Sequence, residues 1–114
     1  MRSSFIAVNE NIFETLLAIS EVEQQRGLMH QKFPPPIMTF VYGSPVHSKF
    51  WMKNTPSPLE IIFCKQGKVI HIANGVPFSE ELVGPESTYD LVVEMPSGFV
   101  QQFDIKLNDN IKLV

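Results

Sequence analysis

Apolar residues fall in short blocks along this chain, and turn-forming residues separate the blocks. Residues 5–8 and 12–18 are apolar-rich stretches joined through Asn9-Glu10-Asn11, which predicts a β-hairpin. Ser20-Glu21-Val22-Glu23 then has the form of a capping box. The serine oxygen accepts from the N–H three residues on, and the glutamate reaches back to the serine N–H. A helix over residues 21–26 follows, with acidic residues at its start, Arg26 at its end and Gly27 as a left-handed stop. Leu28 and Met29 are expected to pack it down. Phe33-Pro34-Pro35-Pro36 excludes helix and central strand. Strands are predicted at 37–42, ended by Gly43-Ser44-Pro45, and at 50–53. Residues 59–64 and 68–73 form a hairpin about Lys65-Gln66-Gly67, ended by Asn74-Gly75. Residues 76–88 read as loop and 89–95 as a strand closed by Pro96. Ser97 is expected to cap a second short helix over 98–103, and 105–107 and 111–113 finish the chain as short β-segments. The pattern predicts a β-rich α+β domain. Its form is a small barrel-like or strongly bent, mostly antiparallel sheet of about seven short strands, with one or two short helices.

Composition narrows the class. A chain of 114 residues is most simply one domain over 1–114. Hydrophobic residues make up 44% and charged residues 18%, which favours a packed globule over disorder. No apolar run approaches the length of a membrane helix, and the N-terminus lacks the apolar segment of an export signal. A cytoplasmic protein without membrane association is therefore expected. The single cysteine, Cys64, closes an apolar strand and reads as an inert buried thiol. Net charge is −3, yet residues 32–68 carry five lysines against Glu60 alone, about +4 against about −7 elsewhere. That contrast marks either a solvated face or a zone that attracts an anion or acidic partner. Few arginines and no aromatic RNA-binding motif argue against a nucleic-acid partner.

Most catalytic and cofactor motifs are absent: no G-x-S-x-G, phosphate loop, H-E-x-x-H, C-x-x-C or dinucleotide fingerprint. His30, His47 and His71 have no metal-ligand spacing, so neither metal nor cofactor is expected. What stands out is Phe50-Trp51-Met52-Lys53-Asn54-Thr55, where the only tryptophan meets polar donors. Strand alternation puts Phe50 and Met52 on one side and Trp51 and Lys53 on the other. One reading is structural: Trp51 in the core, Lys53 paired with Glu60, Asn54 stitching the turn. The other is a binding wall of Trp51 with Lys53, Asn54, Thr55 and Glu60, joined by His71 and Glu94 if their strands adjoin. A non-catalytic module binding a small molecule or protein segment is the leading expectation. The alternatives are an enzyme with Glu60 or Glu94 as acid or base, and an accessory interaction protein.

The same segments carry a resemblance. Arg26-Gly27-Leu28-Met29, the strand 37–42, Phe50-Trp51-Met52-Lys53-Asn54-Thr55 with Pro58-Leu59, and Val93-Glu94 with Gly98-Phe99 occur in one order. In that order they resemble the domain of unknown function 192 family, small prokaryotic and viral proteins, from about Ile12 onward. Glu60 stands where that family usually has aspartate. The resemblance implies a compact β-rich domain with an early helix, and no set activity, substrate or cofactor.

Overall fold

The structure, a computed structural model, describes residues 2–114. Seven strands form one sheet: β1 (Ser3–Val8), β2 (Asn11–Ala18), β3 (Met38–Val46), β4 (Leu59–Lys65), β5 (Lys68–Gly75), β6 (Tyr89–Pro96) and β7 (Ile111–Leu113). Two short helices accompany it, α1 (Glu21–Arg26) and α2 (Phe99–Gln102). The order across the sheet is β5-β4-β6-β3-β2-β1-β7. All neighbours are antiparallel except β2 and β3. The proline-rich stretch and α1 lie between those two strands in sequence and give the crossover a parallel pair requires.

Pleat parity gives the sheet two buried faces. Ile62, Cys64, Val93 and Met95 join Ile6, Val8, Val69 and Ile111 in one apolar cluster. Residues from both ends of the strand order meet there, so the sheet curls around this cluster. Backbone bonds tie the two edges together: Val69 N–H donates to Asp109 O (3.0 Å) and Ile111 N–H to Gly67 O (3.0 Å). Phe99 and Phe103 of the α2 region pack on Phe13 of β2 at one flank of the cluster, with ring centroids 5.9 and 4.8 Å away. The opposite face carries Met38, Phe40, Ile61, Phe63 and Val92, packed with Leu28, Met52 and Tyr89. Burying both faces explains why β4 and β6 read as nearly continuous apolar runs rather than alternating ones.

The hairpin of β1 and β2, the capped helix α1 and the β4–β5 hairpin form as the sequence predicts. Ser20 Oγ accepts from Glu23 N–H (3.1 Å), and Glu23 Oε1 accepts from Ser20 N–H (3.0 Å). Other expectations are corrected. Residues 50–53 are not a sheet strand; only Phe50 makes a bridge, to Val83. Strand β3 runs through Gly43-Ser44-Pro45 to Val46, because its register shifts between Val41 and Val46 instead of stopping. Residues 105–107 form no strand. Ser97 does not cap α2, whose N-cap is Gly98 in a left-handed conformation.

Candidate functional site

Segment 50–55 has its backbone bound to the loop beside it instead of to the sheet. Phe50 and Val83 exchange both backbone bonds at 2.8 Å, and Met52 N–H donates to Ser79 O (2.8 Å). Phe78 N–H donates to Thr55 O (3.0 Å). This pairing keeps the segment extended, so side chains still alternate. Phe50 turns inward, edge-on to Phe40 and Phe63 at 5.1 and 5.4 Å, and Met52 is buried. Trp51 and Lys53 turn outward. Trp51 is 42% exposed, so it is not a core residue, and Lys53 Nζ sits 5.1 Å from its ring centroid. Asn54 then turns the chain with a positive φ, and its carbonyl accepts from His30 N–H (2.8 Å).

Between this segment, α1 and the face of β3 and β6 lies a cleft of about 630 Å³. That is within the usual range for small-ligand sites. Four elements build it. Helix α1 supplies Arg26, and its glutamine Gln24 pins the helix by donating to Ala18 O (3.2 Å) and Val41 O (2.9 Å). Gly27 ends the helix at φ 51°, ψ −132°, and a Cβ there would lie 3.4 Å from Phe40 and 3.9 Å from Glu94 Oε1. The glycine thus opens the way to the floor. Strands β3 and β6 give Phe40, Tyr42 and Glu94, and segment 48–55 gives Lys49, Phe50, Trp51, Lys53, Asn54 and Thr55.

Glu94 is the chemical centre. It is only 4% exposed, and among the described residues no hydrogen bond or ion pair joins its carboxyl. Among the described residues no fully enclosed side-chain polar atom lacks a partner, so the carboxyl oxygens open onto the cleft. Loss of hydration alone pushes this carboxyl from its ordinary 4.5 to about 8. Burial also pushes the Tyr42 phenol up, helped by Tyr89 and Glu94, so it stays protonated at neutral pH. At the mouth, Lys49 is engaged by Gly84 O and Pro85 O (2.8 Å each) and by Glu86 (3.4 Å). Lys53 and Arg26 have no carboxylate partner among the described residues.

Of the residues singled out in the sequence, Trp51, Lys53, Asn54, Thr55 and Glu94 line this cleft, while Glu60 and His71 do not. Glu60 makes no ion pair with Lys53; its Oε1 accepts from Val100 N–H (2.8 Å) in the first turn of α2. Parity is the reason. Glu94 pairs across the ladder with Ile61, so Glu60, one residue earlier, points to the other face. The same fact rules out the two carboxylates as a facing pair. His71 packs edge-on against Phe63 (5.6 Å), two strands away from β6. Arg26, Gly27, Tyr42 and Lys49 were not in the sequence-derived set. For Arg26-Gly27 and Tyr42 the signal was present in the first two motifs of the resemblance; for Lys49 no sequence signal marks it.

Burial pushes the Cys64 thiol up, as expected for an inert core cysteine. No group of His, Cys, Asp and Glu able to hold a metal occurs among the described residues, and no helix there is long and apolar enough to cross a membrane.

Comparison with known proteins agrees with this architecture. The family model DUF192, described as "Uncharacterized ACR", matches residues 5–113 and so includes most of β1, which the sequence resemblance left out. A solved protein of unknown function from Novosphingobium aromaticivorans is 30% identical with a TM-score of 0.90. That match covers 96% of this chain and 84% of the other. A solved protein from Sinorhizobium meliloti, described as a "putative transcription regulator", is 25% identical with a TM-score of 0.91. There 98% of this chain and 94% of the other are covered. No curated protein matches. On a family match spanning nearly its whole length, this chain belongs to the DUF192 family.

Proposed function

We propose that the protein is a binding module for a small organic molecule, held in the cleft between α1, β6 and segment 48–55. One observation carries the reading: Glu94 is buried, opens onto the cleft and has no partner among the described residues. An unpaired buried polar group costs roughly 1–3 kcal/mol, more when charged, and folded chains rarely keep one where an apolar residue would pack. A ligand that supplies the missing hydrogen bond accounts for it. Trp51 then serves as the aromatic wall and Lys53, Asn54 and Arg26 as polar groups at the rim. The segments on which the family resemblance rests supply much of this cleft: Arg26-Gly27-Leu28-Met29, Trp51, Lys53-Asn54-Thr55 and Glu94.

One observation also favours a second reading. A cleft carboxyl poised near neutral pH is suited to proton transfer, so Glu94 could act as general acid or base on the bound molecule. Nucleic acid gains no support, since the net charge is −3 and the rim also carries Glu21.

The test is a thermal-shift panel of small organic acids, amines and sugars on the wild type, Trp51→Ala and Glu94→Leu. Binding is expected in the wild type and absent in both variants, while both still melt cooperatively. Glu94→Leu is expected to melt no lower than the wild type, because it removes an unpaired group. A hit that both variants bind equally well would overturn the reading.

A further inference from the structure

We propose that the ligand of this cleft is a small organic carboxylate with a flat apolar body. The inference rests on the reading of the cleft as a ligand site and adds the ligand's chemical class. Three features of the lining lead to it. Phe40 and Phe50, edge-on to each other, and Trp51 form the aromatic part of the cleft wall, which suits a flat body and offers few partners to a molecule with many hydroxyls. Hydroxyl groups lowered onto that wall would lose water without replacement.

Charge is the second feature. The ionisable lining groups are Glu21 and Arg26 from α1, Lys49 and Lys53 from segment 48–55, Tyr42 from β3 and Glu94 from β6. Strand β4 adds none, because the residue opposite Glu94 is Ile61. Lys49 is engaged by backbone carbonyls and Glu86, while Arg26 and Lys53 are free of carboxylate partners among the described residues. The cleft therefore has spare cationic groups, and an amine ligand would enter against them.

The floor group is the third. Among the described residues no hydrogen bond or ion pair holds a negative charge on Glu94, and its ordinary value is raised by burial, so near neutral pH the carboxyl is largely protonated. In that form it is a hydrogen-bond donor. A carboxyl donating to a carboxylate makes a short, charge-assisted bond. Gly27, whose absent Cβ leaves Glu94 Oε1 open, places its chain neighbour Arg26 at the edge of the same cleft. A ligand carboxylate then meets the Glu94 O–H on the floor, and Arg26 and Lys53 line the same cleft as its cationic groups. No bond is made or broken in this step; only hydrogen bonds are exchanged.

Calorimetric titration with benzoate, benzamide and benzylamine tests it, from about pH 6 to about pH 9, on the wild type, Glu94→Gln and Lys53→Ala. These probes share a ring and differ in charge. Benzoate is expected to bind at least about tenfold more tightly than benzamide, and benzylamine least of all. Lys53→Ala is expected to weaken benzoate several-fold. Wild-type affinity for benzoate should fall by up to about tenfold per pH unit above about pH 8, as the donor proton is lost. Glu94→Gln still donates through its amide and does not titrate, so its affinity should stay level across the range. Benzylamine binding more tightly than benzoate, or an equal pH response in Glu94→Gln, would overturn the ligand class. A sugar in the wider panel that binds only when Glu94 is present, with benzoate silent, would overturn the class and leave the binding cleft standing. A panel silent throughout would overturn both.

Discussion

At the scale of single residues, Glu94 and Gly27 work as a pair. The carboxyl lies on the floor, and the glycine is the lid that is missing its side chain. The Gly27 backbone, at φ 51° and ψ −132°, lies where L side chains are strained. Gly27→Ala is therefore expected to cost roughly 1–3 kcal/mol of stability and to narrow the cleft above Oε1. Chemical denaturation and ligand titration on this variant check both effects, and unchanged affinity would remove Gly27 from the site. Trp51 was legible in the sequence as the residue facing away from Phe50 and Met52. Glu94 was legible as a candidate by type, but its burial and lack of partner depend on the chain at Gly27, just past α1, lying over Phe40 and Glu94, which no local pattern records.

At the scale of elements, the difference between right and wrong expectations is the origin of the constraint. Helix α1 has no buried residue, yet it forms where predicted because its capping box is a local device. Segment 50–53 shows strand-like alternation without being a sheet strand. Its alternation comes from pairing with loop residues 79–83, so the side-chain directions were read correctly and the element was not. Helix α2 is the converse case. Its cap arrives from Glu60, about 40 positions away in the chain, and local reading assigned the job to Ser97 instead. Glu60→Ala is expected to cost about 1–2 kcal/mol and to speed amide exchange at Val100, leaving ligand binding intact. Loss of binding in that variant would place Glu60 back in the site.

At the scale of the whole molecule, the strand content and the bent sheet followed from short apolar blocks and frequent turn residues. The strand order did not, because the β2–β3 parallel pair and the insertion of β6 between β3 and β4 are long-range choices. Those choices bring Arg26, Trp51 and Glu94 to one cleft and send Glu60 to the other face. They also set how global stability depends on pH. The Glu94 carboxyl is raised in the folded state to about 8 and returns to its ordinary 4.5 on unfolding. Between those values the folded chain holds a proton that the unfolded chain releases. The Glu94 contribution is therefore most favourable below about pH 4.5, falls as pH rises by up to ~1.4 kcal/mol per unit, and levels off above about pH 8. The most direct measurement is the unfolding free energy of wild type and Glu94→Gln by denaturant titration from about pH 5 to about pH 9. The wild type should lose stability relative to the variant across that window, with the difference flattening near pH 8. Parallel profiles for the two proteins would mean that Glu94 finds a partner within the fold, and the cleft would lose the group on which its ligand depends.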